Sequence, residues 1–436
     1  MARKQNNKKN VNYIKKDYNI SHNRNKQDLK QTINKKLNTK TQFKIYELII
    51  FAFIILVISV FLTLLIINFI ADESNNNVFN NVSKKELDEF KEVYSIIKSS
   101  YYKDVDEKKI TDGAINGMLE ALEDPHTSYF NKAETDNFNE VMNGSYEGIG
   151  VEISIDNSGN IFVFSVFKNS PAYEVGMKFN DVITEVNGKS TKGLTTTDVV
   201  ALIKDKDKPV ANIKVNRNGN EISFDVKKRI VIIESVESDL YNKNGKKVGY
   251  LLINNFANNT YEQFKQKLEE LEKEKISGLV IDVRGNSGGY LHSVTSMLDL
   301  FLKDGTIIYQ IADKNNTIKY TAQTNESRNY PIAVLINKGS ASASEILAIG
   351  LKESYNAHVV GTSSYGKGTV QTTKDLSSGG MIKYTIQKWL SPNGNWINDV
   401  GVKPTDIVEL SKEYEMNPVN ENDNQLMKAL EIVSKK

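Results

Sequence analysis

The chain has 436 residues, 39% of them hydrophobic and 25% charged, which describes a globular protein of two or three units and excludes a single small domain. It has no cysteine, so disulfides and thiol catalysis are excluded. The formal net charge of +2 conceals an asymmetry: residues 1–45 hold thirteen Lys or Arg against Asp17 and Asp28, leaving the rest acidic by about nine charges.

The basic arm, residues 1–45, is rich in Asn, Lys and Gln, the composition of a disordered segment. Leu48 to Ile67 follows, twenty residues without a charge, broken only by Ser59 and Thr63 and long enough to cross a bilayer. A cleavable signal peptide has a shorter apolar core and a small-residue cleavage site, whereas this stretch ends Asn68-Phe69-Ile70-Ala71-Asp72. The expectation is an uncleaved single-pass transmembrane helix over 46–70 in the cell membrane, with the arm cytoplasmic and everything from residue 72 outside. That topology accounts for the arm without a nucleic-acid partner, whose binding would fall steeply with salt.

After a polar linker, residues 71–82, apolar side chains recur at helical spacing: Leu87, Phe90, Val93, Ile96 and Ile97, then Ile110, Ile115, Met118 and Leu122. They predict a small helical module over 83–145, broken by a turn at Asp124-Pro125-His126-Thr127-Ser128-Tyr129-Phe130. From Tyr146 the period becomes two, in Gly150 to Ile155 and Ile161 to Phe167. A short helix opens at Ser170-Pro171, then come a strand (Asp181 to Asn187), a helix (Thr196 to Lys204) and strands at Ala211 to Val215 and Glu221 to Val226. Tyr146-Glu147-Gly148-Ile149-Gly150-Val151, with Ser170-Pro171-Ala172 and the run Gly176 to Ile183, resembles a PDZ domain, expected over 146–229. The resemblance makes Gly148, Ile149, Gly150 and Val151 peptide-binding residues: loop amides hold a terminal carboxylate while the peptide adds as a strand. Ile149, Val151 and the apolar side of helix 196–204 would line the groove, so protein or peptide partners with apolar C-termini are expected.

From Lys247 strand and helix alternate. Val248 to Ile253 reads as a strand, Thr260 to Lys275 as a helix with a Thr260-x-x-Gln263 capping box, and Gly278 to Val283 as a strand of a buried parallel sheet. A helix near Leu291 to Leu302, strands at Ile307 to Ile311 and Ile332 to Ile336, a helix from Ser342, and strands at Ala357 to Val360, Thr369 to Thr373 and Met381 to Leu390 follow. The fold class is therefore an α+β and α/β multidomain chain: transmembrane helix, helical module, PDZ domain, a mixed-sheet α/β core over 230–410, and a helical tail over 411–436 ending in a helix at Asn424 to Val433.

Sites in open α/β sheets gather beyond the carboxyl ends of strands, and three loops qualify. Arg284-Gly285-Asn286-Ser287-Gly288-Gly289 lacks the Lys-Ser/Thr ending of a phosphate loop but exposes amides suited to an oxyanion hole. Gly339-Ser340-Ala341-Ser342-Ala343-Ser344 lies at a strand-to-helix junction, where amides and the helix dipole converge. Lys367 stands between Gly366 and Gly368, 25 positions after Ser342. Serine with neutral lysine is a hydrolytic pairing.

Together these loops resemble the carboxyl-terminal processing proteases, serine peptidases of the S41 type with a PDZ domain inserted before a catalytic core; the likeness covers roughly Leu87 to Leu410. It implies Ser342 as nucleophile, Lys367 as base, Gln371 orienting that base, and the amides of Gly288 and Ala343 as the oxyanion hole; positions 367, 369 and 371 share one face of a strand. It also implies homodimers formed through the flanking helices. Ser287 stands where many relatives have proline. For Lys367 to accept a proton near neutrality its pKa must fall from about 10.4 to about 7, costing about 4 kcal/mol, so nearly complete burial is expected. Ser342-x-x-Glu345 doubles as a capping box, and Ser340 and Ser344 read as structural. Of four histidines, His22 lies in the arm, His126 in the helical module, and His292 and His358 near the core motifs. No Gly-x-Ser-x-Gly elbow supports a Ser-His-Asp triad, and no His-Glu-x-x-His run suggests a metal, so no cofactor is expected. The rival reading is a catalytically silent, membrane-anchored PDZ scaffold that binds C-terminal peptides.

Overall fold

The computed structural model describes Ser59, Thr63, 83–324 and 328–435. The basic arm and, apart from Ser59 and Thr63, the expected transmembrane helix lie outside the described residues; no helix among the described residues is long and apolar enough to cross a membrane. The chain divides into two units, Met1–Val105 and Asp106–Lys436. In the first, helix α1 (Lys84–Ser100) starts at Ser83, whose hydroxyl accepts from the Glu86 N–H, and carries Glu86 in its first turn and Lys98 in its last, both matched to the helix dipole. Phe90, Val93 and Ile96 on this helix are exposed.

The second unit opens with α2 (Glu107–Glu120), capped by Asp106, then β1 (Ser128–Phe130) and α3 (Lys132–Asn143), which begins with a reciprocal Asn131–Glu134 capping box. The sequence reads Ser128 to Phe130 as part of a turn. In the structure they form a strand whose partner, around Met381 to Lys383, lies some 250 residues downstream, a pairing no local pattern announces.

The small domain comprises β2 (Ser145–Gly148), β3 (Val151–Ile155), β4 (Ile161–Val166), α4 (Pro171–Glu174), β5 (Val182–Val186), β6 (Lys189–Ser190), α5 (Thr196–Ile203), β7 (Val210–Arg217), β8 (Asn220–Lys227) and β9 (Arg229–Ile232). Its antiparallel sheet runs β3-β4-β5-β7-β8 around Ile149, Ile161, Val163, Ile183, Val199 and Ile213. Asp181, wholly buried, is balanced by Arg217 at 2.6 Å. Strands β2 and β9 pair with each other, so the two chain passages between this domain and the core run side by side.

The core continues with β10 (Val236–Lys243), β11 (Lys246–Ile253), α6 (Thr260–Lys273), β12 (Leu279–Asp282), α7 (Leu291–Asp299), β13 (Ile307–Ala312), β14 (Thr317–Thr321), β15 (Ile332–Ile336), α8 (Ala343–Gly350), β16 (His358–Gly361), β17 (Thr369–Asp375), β18 (Met381–Leu390), β19 (Asp406–Ile407), α9 (Lys412–Met416) and α10 (Asn424–Lys435). One sheet runs β10-β11-β12-β15-β16-β19, parallel except for β10; a second runs β1-β18-β13-β14, with β17 also against β18. Alternation explains why β15 is apolar throughout and β12 apolar up to Asp282. Ile281, Val334 and Ile336 join one cluster with Phe264, Val294 and Ile346, while Val280, Ala333 and Leu335 join another with Leu426, Ala429, Leu430 and Val433 of α10. Both faces of the sheet are thus covered.

The Thr260–Gln263 capping box does not form. The Thr260 hydroxyl accepts from the Ala257 N–H at 2.9 Å and shares a hydrogen bond with Ser235, while Gln263 Oε1 accepts from the Ser235 N–H at 2.9 Å. Tertiary partners took both side chains. At the end of β12, Arg284 donates to Asp282 (2.6 Å), Asp423 (2.7 Å) and Gln425 (2.9 Å), fixing the glycine-rich loop to the start of α10.

Candidate active site

Strands β12 and β15 are parallel neighbours, so the loops that follow them meet at the carboxyl ends of the central strands. Two serines join the loops. Buried Ser340 donates to the Val283 carbonyl (2.8 Å), and buried Ser344 to the Asn286 carbonyl (2.8 Å), the structural roles read for them. Ser342 between them is half-buried, with φ 55° and ψ −114°. A non-glycine residue holds such a conformation at a cost of order 1–3 kcal/mol, and only where its surroundings impose it. The restraint is supplied by its neighbours in both loops.

Glu345, in the first turn of α8 and wholly buried, is one of those restraints. Its carboxylate accepts from the Ser342 N–H (2.7 Å), the Ser364 hydroxyl (2.6 Å), the Gly366 N–H (2.7 Å) and the Lys367 N–H (2.9 Å). The sequence showed only the first of these, as a helix cap. The other three tie the serine junction to the lysine loop, and together they satisfy a charge that would otherwise be very costly to bury. No hydrogen bond joins Ser342 Oγ to Lys367 Nζ among the described residues; the two segments are joined by Glu345 and by the Tyr365 N–H, which donates to the Ser340 carbonyl at 2.9 Å.

Lys367 is half-buried, less than the near-complete burial expected, and its pKa is lowered to about 8. Burial is the main cause and the Lys383 ammonium adds to it, while the carboxylates of Glu345 and Asp124 oppose it. Lys383 lies on β18 over the rings of Phe130 and Phe138, 5.4 and 5.9 Å from their centroids. The turn after α2 belongs to this neighbourhood as well. The Thr127 hydroxyl donates to Asp124 (2.6 Å) and accepts from the Thr385 N–H (3.3 Å), and the His126 ring meets that of Tyr365 edge-on at 6.3 Å. Burial and the nearby Lys367 lower the pKa of His126. The sequence marked this segment only as a turn.

Gln371 does not bond to Lys367. Its amide group donates to Thr369 (2.9 Å) and Thr385 (3.1 Å), and the strand begins only at Thr369, with a register shift between Val370 and Gln371 that interrupts the alternation expected for 367, 369 and 371. Those two bonds leave its carbonyl oxygen on the side away from the threonines.

The two expected oxyanion amides differ. Ala343, buried at the first position of α8, has an N–H with no acceptor among the described residues. The Gly288 N–H donates to Asn286 Oδ1 at 2.8 Å, so it is engaged here and not directed at a vacant oxyanion position, contrary to the expectation. Gly288 is nonetheless pressed against the Ser342 loop: at φ 106°, a Cβ would lie 2.8 Å from the Ala341 carbonyl oxygen, 2.9 Å from Ser342 Cβ and 3.1 Å from the Ala343 nitrogen.

In the small domain Gly148 ends β2, Val151 begins β3, and Ile149 and Gly150 join them beside α5. The N–H groups of Ile149 and Gly150 have no acceptor among the described residues, while the corresponding carbonyls accept from Ala172 (2.8 Å) and Phe167 (3.0 Å). Two successive unpaired amides are the kind of arrangement that can hold a carboxylate. His292 meets Asn258 Oδ1 at 3.0 Å. His358, opposite Ala333 at the amino end of the parallel strands and paired with Asp406 at 2.8 Å, is at the far end of the sheet from Ser342.

Three family models match the chain in order: Activating protease CtpB N-terminal domain over 67–135, PDZ domain over 140–216 and Peptidase family S41 over 247–408. The chain is 40% identical over 338 residues to the carboxy-terminal processing protease CtpB of Bacillus subtilis (strain 168), an alignment covering 77% of this chain and 70% of the relative. It is 36% identical over 327 residues to CtpA of the same strain, covering 74% and 69%. With a probable CtpA-like serine protease of Staphylococcus aureus (strain COL) it shares 35% identity over 343 residues, covering 78% and 68%.

Proposed function

The chain belongs to peptidase family S41 and is a carboxy-terminal processing serine peptidase with a PDZ domain, and from that premise we propose that it cleaves by a Ser342–Lys367 mechanism. Neutral Lys367 takes the Ser342 proton as Oγ attacks the scissile carbonyl. The oxyanion forms against the Ala343 N–H, with Gly288 as second donor once its amide turns from Asn286. Collapse expels the amine, which takes its proton from Lys367, and water attacks the acyl-enzyme with Lys367 again as base. Gln371, its amide held by two threonines, offers its carbonyl oxygen to the lysine. The observation that carries this reading is the Glu345 carboxylate, which binds the backbone of nucleophile and base together.

Protein or peptide substrates ending in apolar residues suit the Ile149 and Val151 groove. Incubating the full chain with an unfolded protein of that kind, beside Ser342→Ala and Lys367→Ala, tests the reading by mass spectrometry. Cleavage by the unsubstituted chain alone supports it; equal cleavage by Ser342→Ala contradicts it, and binding without cleavage by all three restores the silent-scaffold reading.

The charge-free stretch Leu48 to Ile67 and the basic arm support a single-pass anchor with the catalytic domain outside the cytoplasm. Because the chain lacks cysteine, Asn19→Cys and Asn417→Cys report the topology cleanly. In intact cells an impermeant maleimide should label only the second; labelling of the first alone contradicts the assignment. The exposed Phe90, Val93 and Ile96 of α1 support a homodimer through its flanking helices. A monomer mass by light scattering would contradict it.

A further inference from the structure

The peptide groove of the small domain is narrowed by the chain itself. Tyr146 folds back over its own loop, so close that a Cβ on Gly148 would lie 2.6 Å from the ring's Cε2. With Val200 and Ile203 of α5 it leaves a space of only about 40 Å³ between helix and loop. The ring thus narrows the end of the groove beside the loop. Burial, with Glu140 and Glu152 nearby, pushes the Tyr146 hydroxyl up to about 12, so it remains a neutral ring under ordinary conditions.

The polar end of the groove is occupied too. Lys204, next after α5, holds its ammonium 5.2 Å from the centroid of the Tyr146 ring and pairs with the carboxylate of Glu140, from α3. The unpartnered N–H groups of Ile149 and Gly150 belong to the same groove. A cation and two amides without an acceptor among the described residues are what a chain terminus would need, and the borrowed carboxylate and the aromatic ring stand where its carboxylate and side chain would go.

We propose that Lys204 receives the C-terminal carboxylate of the substrate, and that Glu140 and Tyr146 hold this subsite as built-in competitors until a substrate displaces them. The proposal rests on the reading of the groove as a binder of protein C-termini. The exchange conserves charge: the incoming carboxylate takes the place of Glu140 on Lys204 and reaches the Ile149 and Gly150 amides, while its apolar side chain takes the place of the tyrosine ring. Glu140 and Lys204 side chains are 29% and 33% exposed, so water helps to compensate each charge as the pair opens. An amidated terminus brings no charge to the exchange and cannot complete it.

The test measures fluorescence anisotropy of a short labelled peptide ending in Leu-Val, as free acid and as amide, with the full chain carrying Ser342→Ala to prevent cleavage. The expected result is tighter binding of the acid, a gain of up to about fivefold for the acid with Glu140→Gln, the worth of a partly exposed ion pair, and loss of the acid-over-amide preference with Lys204→Met. Lys204→Arg should restore it. An unchanged preference in Lys204→Met, or unchanged acid affinity in Glu140→Gln, overturns the subsite while leaving the groove's peptide-binding role intact. Binding of neither peptide by any variant overturns that role, and the subsite with it.

Discussion

At Glu345 one buried carboxylate replaces what would otherwise be four separate constraints on the backbone of the site. Replacing it with glutamine turns an NH₂ group toward N–H or O–H donors and leaves some unpaired. Glu345→Gln should therefore lower kcat/KM by about 10²-fold or more and cost about 2–4 kcal/mol of stability in urea denaturation; wild-type activity would contradict its role. In the proposed mechanism Lys367 must be neutral to act, and its pKa near 8 predicts that kcat/KM rises about tenfold per pH unit below pH 8 and levels off above it. Lys383→Met removes a cation that disfavours protonated Lys367, so the limb should move to higher pH; movement to lower pH would contradict this. The loops that carry Ser342 and Lys367 were legible in the sequence because glycines and alternating small residues mark them. Glu345 was legible only as a cap, and Asp124 to Thr127 only as a turn, because their decisive partners are distant in sequence.

Among elements, the strands most legible in sequence were those whose side chains meet the same demand along their whole length. Leu279–Asp282 and Ile332–Ile336 lie between two covered faces and are apolar nearly throughout, and the alternation of β4 follows one buried face. Strands β1, β2 and β9 were not legible, since each is three or four residues long and is defined by its partner. The Thr260 box failed for the same reason, its side chains serving Ser235. The loop holding Gly288 belongs to the legible group in position but not in detail, because a sequence does not say where an amide points. Gly288→Ala would force a Cβ into the Ser342 junction at 2.8–3.1 Å. It should reduce kcat by about 10²-fold or more with a smaller loss of melting temperature than Glu345→Gln; unchanged kcat would place the oxyanion elsewhere.

For the whole molecule, α10 completes the core. Leu426, Ala429, Leu430 and Val433 cover one face of the central sheet, and Asp423 at its start anchors Arg284 beside the glycine-rich loop. Burial of the two leucines and the valine contributes about 1.5–3 kcal/mol each, comparable with the whole stability of a typical domain. A chain ending at Asn422 should therefore fail to fold, seen as loss of near-ultraviolet circular dichroism and rapid proteolysis of the core; a folded, active truncation would contradict the assignment. The mechanism itself is tested most directly by acid-quenching the reaction with an ester or peptide substrate during turnover and mapping the acylated peptide by mass spectrometry. The expected result is an acyl group on Ser342, absent in Ser342→Ala and much reduced in Lys367→Ala. Turnover with the acyl group on another residue, or with none on Ser342 under conditions that trap it, would contradict the Ser342–Lys367 mechanism.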